Sequence, residues 1–159
     1  MNKKRRNELP YREGDWIAVS LPDGGFALGL IARASGEAKV LFGYFFGPRL
    51  STTPTMENTA RRSASDAILT AKFGDYSLFQ KEWVLIGHHS HWNRADWPMP
   101  PFARVDEKGK ALRIEYSDDD PSVCTSEMPC TIQEAKKYPT DGMLGSHVLA
   151  RRLSKLLSR

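Results

Sequence analysis

Cysteine is scarce: 159 residues contain two, Cys124 and Cys130. Reducing compartments keep such thiols apart, and two thiols without two further ligands at suitable spacing do not make a zinc site. They are expected as small, buried or partly buried residues. Long apolar runs are also missing, and nothing approaches the ~20 residues that a membrane helix needs. The basic start, Met1-Asn2-Lys3-Lys4-Arg5-Arg6, runs into Asn7-Glu8-Leu9-Pro10 rather than an apolar segment. It does not read as a secretory signal, so a cytoplasmic protein is expected. No glycine-rich phosphate loop opens a helix after a strand, and neither a nucleophile elbow nor a metalloprotease helix occurs. No catalytic residue, cofactor or metal is assigned, and no enzymatic activity is expected. With no internal repeat and no low-complexity linker, one domain over 9–159 is expected behind a disordered basic leader at 1–8.

The net charge of +4 is unevenly placed. Residues 1–8 hold four cations and one carboxylate, and residues 151–159 hold four cations, which leaves a balance of −3 over 9–150. The isoelectric point alone therefore does not argue for nucleic acid.

What is present begins at Gly14. Residues 14–21, 26–34 and 39–47 read as three antiparallel strands in a meander, with a Pro22-Asp23-Gly24-Gly25 corner and a second reversal at Ser35-Gly36-Glu37. Proline presets the first corner, and Gly24 can take the left-handed conformation that completes it. In the third strand Val40, Phe42, Tyr44 and Phe46 share one face, opposite Leu41, Gly43, Phe45 and Gly47. So dense an aromatic face has to be covered by the rest of the chain.

Gly47-Pro48-Arg49 should end that strand, and Thr53 with Pro54 should start a short helix running to Arg61-Arg62. Residues 66–75 return to strand character, and Trp83-Val84-Leu85-Ile86 reads as a buried strand stopped by Gly87. Pro98, Pro100 and Pro101 rule out regular structure at the end of 88–101, which should pack across the sheet as a lid. Residues 102–106 and 111–117 form a hairpin. Thr131-Ile132-Gln133-Glu134 has the capping-box pattern of a short helix. Ser146 should cap a C-terminal helix that buries Leu149, Leu153, Leu156 and Leu157 opposite Arg151, Arg152 and Lys155. The fold class is thus α+β: a strongly bent antiparallel sheet or a small, partly open barrel, with a C-terminal helix and one or two short helices packed on it.

Two clusters could carry chemistry. His88, His89 and His91 invite a metal reading, but they lead into a proline loop rather than standing on rigid elements with partners behind them. Asp118, Asp119 and Asp120 lack the spacing of a calcium loop. A projecting anionic turn fits a binding role better, because it can steer a basic partner and reject like-charged competitors.

In their order and spacing, several pieces resemble the immunity protein 26 family of bacterial polymorphic-toxin systems. They are Gly14-Asp15-Trp16-Ile17-Ala18-Val19-Ser20-Leu21, Asp23 to Gly29, Gly43-Tyr44-Phe45-Phe46-Gly47-Pro48, Lys72-Phe73-Gly74-Asp75, Trp83 to Gly87, Trp97 to Phe102, and the acidic turn after Tyr116. The resemblance implies a non-enzymatic immunity protein, made beside a toxin gene, that binds and neutralises its cognate toxin domain by occluding it. The surface expected to meet that protein is Glu115, Asp118, Asp119 and Asp120, with Trp92 and Trp97 as aromatic anchors where exposed. The alternative is a nucleic-acid-binding small β-barrel, in which Phe and Tyr stack on bases beside basic tails. The acidic balance of the body, and the fit of those rings to a core face, count against it.

Overall fold

The computed structural model describes residues 9–35 and 38–158. The expected leader at 1–8 lies outside those residues, as do Gly36 and Glu37 of the second reversal. The meander forms as expected: β1 (Asp15–Ser20), β2 (Phe26–Ala34) and β3 (Val40–Leu50) are joined antiparallel. β4 (Leu69–Gly74) follows β3, and β5 (Val84–His88) returns to the free side of β1. A two-residue strand, β9 (Met143–Leu144), runs parallel to β4 and completes an open six-stranded sheet in the order β5-β1-β2-β3-β4-β9. β6 (Phe102–Val105), β7 (Ala111–Ser117) and β8 (Asp120–Cys130) make a second, three-stranded sheet. The helices are α1 (Tyr76–Phe79), α2 (Ile132–Ala135) and α3 (Ser146–Leu156). The class is α+β, and of the two architectures anticipated the open sheet is the one formed.

β3 sets the packing because both of its faces are buried. Leu41 and Phe45 point into a core with Ile17, Val19, Phe73, Trp83, Leu149 and Leu153. Phe42, Tyr44 and Phe46 point the other way, into a core with Trp16, Leu28, Leu30, Trp97 and Phe102. The first core is closed by α3 and the second by the 88–101 lid and the second sheet. Rings on the face of the first core lie over positions where side chains are missing. A Cβ on Gly29 would lie 2.9 Å from Ile17 and Phe45, and one on Gly43 would lie 2.9 Å from Phe73 and 3.0 Å from the Leu30 carbonyl oxygen.

Several expectations are corrected. β3 does not end at Gly47-Pro48-Arg49 but continues to Leu50, which pairs with Phe26 across a register shift. Beyond Phe45 it has no ladder to β4, so the proline removes no needed donor. The helix expected from Pro54 is a single 3-10 turn, Met56–Thr59, that begins after Thr55 and is closed where Arg61 takes φ 63°. β4 starts at Leu69 rather than Asp66, whose carboxylate instead accepts the Ser63 N–H in a 3-10 turn. β5 is an edge strand rather than a buried one, with Val84 49% and Leu85 38% exposed.

β8 and β9 were not anticipated, and Cys124 on β8 is exposed rather than buried. Gly145, not Ser146, is the cap of α3. Leu156 is 52% exposed, because the small residues Ser146, Ala150 and Ser154 are buried instead and roll the helix toward their side. Gly43→Ala is expected to cost about 1–3 kcal/mol through overpacking against ring and backbone, read as a lower urea midpoint with an unchanged slope.

Candidate functional site

The acidic turn joins β7 to β8, and two of its exposed carboxylates reach back to arginines of the body. Asp118 Oδ1 accepts a hydrogen bond at 3.1 Å from Nε of Arg33, a β2 arginine whose side chain is 2% exposed. The same guanidinium donates through Nη1 to the carbonyls of Ala32 (2.7 Å) and Trp97 (2.9 Å). Asp119 accepts at 3.0 Å from Arg94, which also makes a two-pronged pair with Glu13, both contacts at 2.7 Å. Those bonds, to Glu13 first and Asp119 next, hold the Arg94 pKa above its ordinary value against the desolvation that opposes them. The turn therefore clasps the second sheet to β2 and to the lid.

Asp120 is engaged locally, accepting from the Ser122 N–H (2.9 Å) and hydroxyl (2.6 Å). Glu115 accepts from Arg113 at 3.0 Å. Trp97 is 3% exposed and meets Trp16, Tyr44 and Phe46 edge to face. Trp92 is half-buried, edge-on to His89. The structure thus gathers Asp118, Asp119 and the Trp97 backbone around two arginines. Glu115 and Asp118 line an open groove of about 350 Å³ with Met99, Pro100 and Pro101. The tryptophan expected as an anchor at Trp97 is a core residue, and Trp92 keeps only part of its ring at the surface.

A second charged cluster sits between the sheets. Lys72 on β4, 4% exposed, places its ammonium 3.1 Å from the centre of the Tyr116 ring and 5.0 Å from that of Phe102. Asp141 faces it at 3.4 Å and also accepts from Arg104 at 2.7 Å and from the Tyr116 hydroxyl. Burial pushes the Lys72 pKa down, with Asp141 opposing it. Burial, then the bond to Asp141, raises that of Tyr116. Burial alone would raise Asp141, but the bonds from Tyr116, Arg104 and Lys72 outweigh it and hold the carboxyl below its usual range. Every group here is engaged by another, so the cluster acts as a strut between the two sheets.

The three neighbouring histidines diverge. His88 Nδ1 lies 3.0 Å from Asp15, His89 stacks on Trp16 at 5.7 Å, and His89 Nδ1 accepts from the backbone N–H of His91. Burial, then the neighbouring His91 and His88, lowers the pKa of His89. Among the described residues no group of three or more His, Cys, Asp or Glu side chains is arranged to hold a metal ion.

The outer face of α3 is a surface that the apolar spacing of Leu149, Leu153, Leu156 and Leu157 conceals, because it places Leu156 in the buried stripe. Val148 (41%), Leu156 (52%) and the neighbouring Met143 (51%) are exposed, and Arg151, Arg152 and Lys155 stand beside them. The sequence signal for this rotation is the small-residue spacing Ser146, Ala150, Ser154.

Fold and faces together define a small α+β protein with two antiparallel-dominated sheets, its acidic turn engaged internally and a basic helix face outward. The chain belongs to the immunity protein 26 family, whose model matches residues 12–111. The acidic turn lies just beyond the matched span. No curated protein and no solved structure matches the chain. Among the described residues no helix is long and apolar enough to cross a membrane.

Two outcomes test these assignments. Arg33→Leu removes the donor from two buried carbonyls and is expected to cost about 1–3 kcal/mol, measured by urea unfolding, whereas the exposed Asp118→Asn should cost less. Because the folded pKa of Asp141 is depressed, its stabilisation is present above the ordinary carboxylate pKa of ~3.9 and is lost as pH falls through the lower folded value. Asp141→Asn should therefore be less stable than wild type at pH 7, and its urea midpoint should fall less between pH 5 and the acid limit.

Proposed function

We propose that this protein neutralises a cognate bacterial toxin domain by binding it and covering the surface that the toxin needs, in the cytoplasm of the producing cell. On this reading residues 9–159 act as one domain and perform no chemistry. The observation that carries the proposal is membership of an immunity family across 12–111, the span that contains the meander, the lid and the first strand of the second sheet. The geometry supports it. The buried charged groups hold the sheets together, and the two-sided core of β3 gives a stiff backing for whatever lies outside it. A stiff surface loses little conformational freedom on binding, which favours affinity. A standard interface needs only ~800 Å² from each partner, a small part of the 9087 Å² that the protein exposes.

The test is co-expression with the toxin domain encoded in the neighbouring gene. Restored growth, together with a stable complex on size-exclusion chromatography, is the expected result. Undiminished toxicity with no complex, or turnover of a small substrate by the protein alone, would overturn the proposal.

A further inference from the structure

Helix α3 is held firmly on its inner side. Leu149 and Leu153 are fully buried, and Arg49 donates to the carbonyls of Ser154 (2.9 Å) and Leu157 (3.1 Å) while pairing with Asp23 at 2.6 Å. On the outer side, Val148 and Leu156 sit among Arg151, Arg152 and Lys155, and none of these three cations has a carboxylate partner among the described residues. Arg33, Arg49, Arg94, Arg104 and Arg113 each have one, whereas other surface cations such as Lys108, Lys110 and Lys137 also lack one among the described residues. What distinguishes α3 is that three such cations share one helix face with exposed Val148 and Leu156.

The nearby acids are already engaged. Glu82 is bound by His147 (2.8 Å) and Ser77 (2.9 Å), and Asp141 by Arg104, Tyr116 and Lys72. A groove flanks the helix on each side: one of about 480 Å³ that includes Trp83, His147 and Arg151, the other of about 310 Å³ that includes Tyr138, Met143 and Arg152.

We propose that the outward face of α3 is the docking surface for the toxin domain, and that the toxin surface it fits is acidic with apolar side chains among the carboxylates. The inference rests on the immunity reading and deepens it. Charge complementarity selects the occupant, because three cations without internal partners favour an anionic surface and repel a basic one. Val148 and Leu156 on the helix, and Met143 in the groove beside Arg152, select a protein over a phosphate backbone, since exposed apolar side chains interleaved with cations are what a protein interface buries. The family match ends at Ala111, well before α3, so this face belongs to the part of the chain outside the common scaffold. In the acidic turn Asp118 pairs with Arg33 and Asp119 with Arg94, while both carboxylates keep most of their side chains exposed.

The experiment uses the full chain and the purified toxin domain of the neighbouring gene, with association followed by stopped-flow fluorescence at low and physiological salt. The variant R151E/R152E/K155E should associate at least about tenfold more slowly, as expected when steering charges are reversed. Its salt dependence should reverse, with association faster at physiological than at low salt because screening then relieves repulsion, and it should fail to protect cells. L156D alone should weaken binding through faster dissociation, which keeps the test decisive if the triple variant folds poorly. K108E/K110E/K137E carries the same change in net charge on exposed sites away from α3 and should behave as wild type. Wild-type rates in both α3 variants, or equal slowing by the control, would overturn the inference while leaving the immunity function standing. So would binding of a 20-base-pair DNA duplex through these cations in place of the toxin domain. If the wild-type chain neither binds nor protects, the immunity reading itself fails, and the docking face with it.

Discussion

The structure depends on one strand having no wet side. β3 sends Leu41 and Phe45 into one core and Phe42, Tyr44 and Phe46 into the other. An antiparallel meander ordinarily leaves one face to solvent. Here it cannot, because each of those side chains is worth roughly 1.5–3 kcal/mol of burial. Every other element is therefore a cover. Helix α3, Tyr11 and Trp83 close one side, and the lid and second sheet close the other. Gly29 and Gly43 leave the space over which the Phe45 and Phe73 rings lie, which is why two glycines sit within strands that would otherwise favour branched residues.

Apolar covers alone would be free to slide, and charged groups fix where they sit. Arg33 joins β2 to the lid and to the acidic turn in one guanidinium. Lys72 and Asp141 join β4 to β6 and β7, with the Tyr116 ring laid against the ammonium. Groups this deep have to be satisfied, since an unpaired buried charge costs far more than a pair contributes. Lys72 and Asp141, which look reactive in isolation, are thus committed to architecture, while Arg33 and Arg94 reach outward to Glu13 and the exposed Asp118 and Asp119.

The meander, the 102–117 hairpin, the lid and the Thr131 cap were legible because local chemistry decides them: period-two alternation, a Pro-Asp-Gly-Gly corner, clustered prolines, and a threonine whose side chain accepts the Glu134 N–H. What was not legible depends on partners distant in sequence. β8 is hidden by Pro121 and Pro129, and forms because β7 offers a ladder to residues that would not make a strand alone. β5 reads as buried from Val84-Leu85-Ile86, yet nothing lies beyond it in the sheet. Asp118 and Asp119 read as a free anionic turn because their arginines stand 85 and 25 residues away. Leu156 falls within 20° of Leu149 on an ideal helix, as the ~3.6-residue turn requires, but the close approach at Ser146, Ala150 and Ser154 moves the buried stripe past it.

Sheet edges are the usual places for another chain to attach, and they are poorly suited to it here. The edge at β6 is occupied by 139–141, where Ala103 exchanges backbone bonds with Pro139 and Asp141. β8 carries two prolines and irregular register at Tyr116, devices that deter strand addition. β9 has two residues and β5 has five, too short to template much. A face whose backbone is already satisfied and whose side chains are not is a different kind of surface. It binds through groups that need no ladder, and it can change its specificity residue by residue without disturbing the sheet beneath. The outer side of α3 is of that kind. Its inner residues hold the core of β3, while its outer cations have no carboxylate partner among the described residues.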